Sequence, residues 1–100
     1  MKKIYLNIYK PNLVNLKKAK KNLDNNNIIG MPTETVYGLA GNAYSDKSIK
    51  KIFKLKKRPD FNPLIIHFKN LNDLENEVIL NTNFKKLYSA FCPGPITFIL

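Results

Sequence analysis

At 100 residues the chain suits one small domain or part of a larger one, and a second complete catalytic domain is excluded. With 44% hydrophobic and 24% charged residues it has the material for a core and is not of the disordered class. Seventeen basic residues against seven acidic ones give a net charge of +10, which fits a nucleic-acid surface, an acidic substrate, or neither.

In chain order, Met1-Lys2-Lys3 resembles the basic start of a signal peptide, but Asn7, Lys10 and Pro11 interrupt any apolar region behind it. Ile4 to Tyr9 is rich in β-formers and is expected to be a strand that ends at Lys10-Pro11. Asn12 is placed to cap a helix from Leu13 to Leu23, with Leu13, Leu16, Ala19/Lys20 and Leu23 at helical spacing and lysines on the polar side. A turn at Asp24 to Asn27 leads to a short buried strand, Ile28 to Met31. Pro32-Thr33-Glu34-Thr35 must leave that strand irregularly before Val36-Tyr37-Gly38-Leu39.

Ser45 caps the clearest helix, Asp46 to Lys56, with Ile49, Ile52 and Phe53 toward the core and Lys47, Lys50, Lys51 and Lys54 toward water. Arg58-Pro59 stops it, and Asp60 to Pro63 is a loop. Leu64 to Phe68 predicts a strand buried on both faces. Helical stretches follow near Asp73 to Leu80 and Asn83 to Phe91, then a rigid Pro93-Gly94-Pro95 loop and a strand pattern at Ile96 to Leu100. Strands alternating with helices predict an α/β layered sheet. The apolar β run at the end suggests that residues 1–100 are the N-terminal part of a single domain incomplete at its C-terminus; a short closing edge strand is the alternative.

A single cysteine, Cys92, excludes an intramolecular disulfide, and no run approaches the roughly 18 consecutive apolar residues that a membrane span needs. A cytoplasmic, reducing setting without membrane attachment is the expectation. Phosphate-loop, dinucleotide-fingerprint and zinc motifs are absent. Sixteen of the seventeen basic residues are Lys, a profile that AT-rich coding also produces without any binding role. Arg58 stands out against it, because a guanidinium offers a planar, bidentate fork that an ammonium lacks.

Four segments could carry chemistry, one of them Pro93-Gly94-Pro95-Ile96-Thr97, which is either a stiff structural corner or a wall that holds a substrate. Thr33, Glu34 and Thr35, directly after a strand, can bind a small polar ligand or simply cap the next turn. Lys56 and Arg58, two apart across a helix exit, can converge on one phosphate, or can be a solvated helix end. His67 lies in an apolar run, where it is either a half-buried core residue or a ligand contact.

Together, Met31-Pro32-Thr33-Glu34-Thr35-Val36-Tyr37-Gly38-Leu39, Lys56-x-Arg58-Pro59-x-x-Asn62-Pro63-Leu64 with His67, and Pro93-Gly94-Pro95-Ile96-Thr97 resemble the N-terminal half of the YrdC-like threonylcarbamoyl-AMP synthases. The resemblance implies a twisted mixed α/β sheet with helices packed on it around a positively charged concave surface. It implies condensation of L-threonine, bicarbonate and ATP to threonylcarbamoyl-AMP and pyrophosphate, for the t6A modification at position 37 of tRNA. By the same resemblance Thr35 and His67 belong to the threonine pocket, and Lys56, Arg58 and Asn62 to ATP, with Lys56 and Arg58 as the catalytic pair. Magnesium would be carried by the nucleotide, with no metal ligands of the chain's own. The partner enzymes of t6A synthesis and a tRNA or double-stranded RNA are the implied macromolecular partners. Cys92 stands where the family usually has Trp, which reads as a packing change. A basic RNA-binding module without catalysis, and a YrdC-like domain of a carbamoyltransferase, are the alternatives.

Overall fold

The computed structural model describes residues 7–100, and the chain divides after Asn62 into two compact units. Of the strand expected over residues 4–9, residues 4–6 lie outside the described residues and residues 7–9 join no ladder.

In the first unit, helix α1 (Leu13–Asp24) begins where Asn12 Oδ1 accepts the Asn15 N–H at 2.9 Å. It ends at Asn26, whose φ of 62° is the left-handed conformation that Asn tolerates. Two backbone bonds close that end, Asn26 N–H to the Leu23 carbonyl and Asn27 N–H to the Asn22 carbonyl. Leu13, expected on the inner face, is 69% exposed, and Leu16 is exposed too, whereas Ala19 and Leu23 are half-buried. The reason is length. The helix packs against strand β1 (Ile29–Met31), and a twelve-residue helix of about 18 Å overhangs a three-residue strand of about 10 Å.

β1 pairs antiparallel with β2 (Gly38–Ala40) in the register Ile29 with Ala40, Gly30 with Leu39 and Met31 with Gly38. Among the described residues this is the whole sheet, so the architecture is helices with a small two-stranded antiparallel sheet, consistent with an α/β fold. With one neighbour only, β1 is not the buried strand expected, and Met31 is exposed.

Helix α2 (Asp46–Lys56) matches its expected bounds. Ser45 Oγ accepts the Ser48 N–H at 3.2 Å, and Asp46 in the first turn complements the helix dipole. Ile52, 6% exposed, and Ser48, fully buried, face the backbone just after β2. A Cβ at Gly41 would stand 3.2 Å from both Ile52 Cδ1 and Ser48 Cβ, so a residue without a side chain lets the helix approach this closely. Lys51 is half-buried instead of facing water, because its Nζ donates to the Asn26 carbonyl at 2.9 Å and ties α2 to the end of α1.

Ser48 Oγ is buried with no hydrogen-bond partner among the described residues. A buried hydroxyl in that state costs about 1–3 kcal/mol. Ser48→Ala is therefore expected to leave the Tm unchanged or raise it in a thermal melt; a clear fall would mean that the hydroxyl is satisfied.

The second unit begins at Pro63. The strand expected at residues 64–68 forms no ladder; Ile65 is 65% exposed, and Ile66 and His67 are exposed. A strand exists only when a neighbour takes its N–H and C=O groups, and no described segment does so here. The same holds for residues 96–100. Helix α3 (Leu71–Glu75) starts earlier and is shorter than the stretch expected over residues 73–80. Asn70 caps it, and the Glu77 and Val78 N–H groups both return to the Leu74 carbonyl, closing it.

Helix α4 (Thr82–Phe91) is capped by Asn81, whose Oδ1 accepts the Phe84 N–H at 2.8 Å. Phe84, 3% exposed, is the centre of this unit. Its ring meets Phe98 edge-on at 4.8 Å and 76°, and lies 5.8 Å from Tyr88. A cis peptide joins Cys92 to Pro93. At Gly94 any Cβ would run into the Phe91 carbonyl, so this corner also needs a bare backbone.

Candidate functional site

The residues singled out by sequence fall into three places. Lys56, Arg58 and Asn62 gather at the C-terminal end of α2; Thr35 lies on the loop between β1 and β2; His67 lies exposed in the second unit.

The end of α2 is built by its own backbone. Lys54 and Lys56 occupy the last turn, where cations suit the free carbonyls. Lys57 N–H donates to the Lys54 carbonyl at 3.3 Å and Arg58 N–H to the Phe53 carbonyl at 3.0 Å, the two bonds of a Schellman end. Between them Lys57 takes φ 51° and ψ 38°, a left-handed conformation. Lys56, before this reversal, is exposed; Arg58, after it, is half-buried. Residues 59–62 then turn, with Asn62 N–H on the Pro59 carbonyl at 3.0 Å. That turn presents the Asn62 carbonyl to Arg58 Nε at 3.3 Å.

Asn62 thus meets Arg58 through its main chain, a role invisible in the residue type. Arg58 also lines an open hollow of about 430 Å³ with Ile49, Lys50, Phe53, Lys54 and Asp60. The hollow joins two apolar side chains to three cations and one carboxylate, a composition suited to an anion with a flat or apolar body. Sequence reasoning placed Lys50 and Lys54 only on a solvated face; the available signal was their four-residue spacing, which puts Lys50 and Lys54 in line along α2 toward the end that Arg58 follows.

On the β1–β2 loop the two threonines divide their work. Thr33 Oγ1 accepts the N–H groups of Thr35 at 3.3 Å and Val36 at 3.2 Å, and donates to the Val36 carbonyl. The turn-capping role therefore belongs to Thr33. Thr35 Oγ1 makes no hydrogen bond among the described residues, and the residue is exposed. Among those residues, no three His, Cys, Asp or Glu side chains come together as a metal site. No helix is long and apolar enough to cross a membrane.

Comparison with known proteins places these segments in a family. The model of the Sua5/YciO/YrdC family, described as telomere recombination, matches residues 21–100. The threonylcarbamoyl-AMP synthase of Bacillus subtilis is 42% identical over 79 residues, covering 78% of this chain and 23% of that protein. That of Pyrococcus abyssi is 43% identical over 76 residues, covering 73% and 22%. A Methanocaldococcus jannaschii protein is 34% identical over 104 residues, covering 100% of this chain and 50% of its own length. The chain thus spans half or less of these relatives. No solved structure gives a significant match. Since the family's pattern runs through both units and over the Lys56, Arg58 and Asn62 segment, this chain belongs to the Sua5/YciO/YrdC family.

Proposed function

We propose that this chain is part of an L-threonylcarbamoyladenylate synthase and carries residues of its ATP and threonine sites. The observation that carries the reading is the similarity, through most of the chain, to proteins named threonylcarbamoyl-AMP synthase. The local chemistry supports it: a half-buried guanidinium that donates to a main-chain carbonyl and lines one hollow with Lys50 and Lys54 suits phosphate oxygens. In this reading β1 and β2 belong to a twisted mixed sheet, and residues 1–100 to a single YrdC-like domain.

The amine of threonine and bicarbonate give N-carboxythreonine and water. Its new carboxylate attacks the α-phosphorus of ATP, forming the carboxyl–phosphate bond as the bond to pyrophosphate breaks. Lys56 and Arg58 offset the charge that builds on the phosphate oxygens, while Asn62 contributes to the nucleotide site. Thr35 Oγ1 and His67 hydrogen-bond the zwitterionic amino acid. Magnesium enters as part of the Mg-ATP substrate. The product would supply the threonylcarbamoyl group of t6A37 in the cytoplasm, with tRNA and the partner enzymes of that modification downstream.

The test uses the gene product at its natural length, incubated with Mg-ATP, bicarbonate and threonine. Pyrophosphate release that requires both threonine and bicarbonate is the expected result. Tight, salt-sensitive RNA binding without it would move the reading to an RNA-binding module.

A further inference from the structure

Both helices of the first unit longer than ten residues end the same way, with a left-handed residue between two backbone hydrogen bonds. At the end of α1 that residue is Asn26, an amino acid that tolerates positive φ. At the end of α2 it is Lys57, which does not share that tolerance. Glycine is the usual choice at such a position. Directly after Lys57 stands Arg58, the sole arginine of the 100 residues.

We propose that Lys57 is a positioning residue for Arg58, and that its left-handed backbone, and not its ammonium group, is what the site uses. The reversal at Lys57 locks the Arg58 N–H onto the Phe53 carbonyl at 3.0 Å, so the chain leaves α2 in one direction only. The turn over residues 59–62 starts from that direction and returns the Asn62 carbonyl to Arg58 Nε at 3.3 Å. A bond at Nε fixes the plane of the guanidinium, the property that separates it from a lysine. An extended backbone at position 57 would break the Phe53 bond and free Arg58 from the end of α2, so that the turn over residues 59–62 would no longer be set to return the Asn62 carbonyl to Arg58 Nε and that bond would be lost. The effect on nucleotide binding rests on the proposed ATP role of Arg58; the effect on the guanidinium itself does not.

Two variants of the natural-length gene product test this. Lys57→Gly keeps the left-handed conformation without strain and removes the charge. Lys57→Val opposes that conformation, because a β-branched residue is an outlier there. Two readouts are followed below the Tm: the KM for ATP, and solvent exchange of the Arg58 Nε–H by NMR, assigned by its loss in Arg58→Lys. For Lys57→Gly we expect an unchanged KM, a protected Nε–H and a Tm at or above that of the parent. For Lys57→Val we expect a KM raised by about fivefold or more and a lowered kcat, together with rapid Nε–H exchange.

A folded Lys57→Val variant with the parent's Nε–H protection overturns the proposal, as does a Lys57→Gly variant with a raised KM, which would assign the effect to the ammonium. If Lys57→Val does not fold, Lys57→Gly decides alone, and a lower Tm or a lost Nε–H signal overturns the proposal. If the parent itself makes no threonine-dependent pyrophosphate, the proposed function fails, while Nε–H exchange still decides the role of Lys57.

Discussion

Replacing Arg58 by Lys is expected to lower threonine-dependent pyrophosphate release by about a hundredfold, the scale seen when one fixed donor to a developing charge is lost. The substitution keeps the positive charge, so a loss of this size would belong to geometry. A lysine has no planar fork and no Nε–H to engage the Asn62 carbonyl, so that hydrogen bond disappears with the guanidinium. Steady-state pyrophosphate release at saturating ATP measures it. Turnover equal to the parent would remove Arg58 from the reaction. The control is Lys17→Gln on the exposed side of α1, which loses one positive charge and is expected to leave turnover unchanged. If Lys17→Gln were equally damaging, the overall charge of +10 would be the working feature.

Phe84→Ala is expected to destabilise the second unit by about 3–5 kcal/mol, through lost burial and the cavity left behind. Phe84 is 3% exposed and meets both Tyr88 on its own helix and Phe98 from the final segment, so its ring joins α4 to a run that has no ladder of its own. For a small domain this lowers the Tm by about 12 °C or more. Thermal denaturation followed by near-UV circular dichroism reads it, since the three rings share one environment. Phe84→Leu, which keeps most of the volume, should lose much less. A melt indistinguishable from the parent would show that the ring cluster does not hold this unit.

Helices are legible from sequence where their signals are local. Ser45 and the Ile49, Ile52, Phe53 spacing mark α2 to the residue, and Asn12 marks the start of α1, because a cap and a 3.6-residue period act within a few residues. α3 starts two residues before its expected position because Asn70, and not a later residue, is its cap. The runs at residues 64–68 and 96–100 read as strands, since a row of β-branched and aromatic residues is what a strand requires of its own side chains. It requires a pairing neighbour as well, and that is a non-local condition which neither run meets among the described residues.

The candidate site divides along the same line. From residue types alone, the solitary arginine among sixteen lysines, the Lys56-x-Arg58 spacing and the Thr33 to Thr35 cluster can be singled out, because chemistry is written in side chains. Which threonine caps the turn, which lysine bends backwards and which atom of Asn62 faces Arg58 cannot. Those depend on main-chain dihedrals, and a lysine at position 57 gives no local sign of a positive φ. The sequence by itself determined the two long helices of the first unit, the family and the chemical identity of the candidate groups. Only the tertiary structure decided that Arg58 is held by a carbonyl four residues away, because the closing of a helix end and the turn behind it is a cooperative property of the backbone.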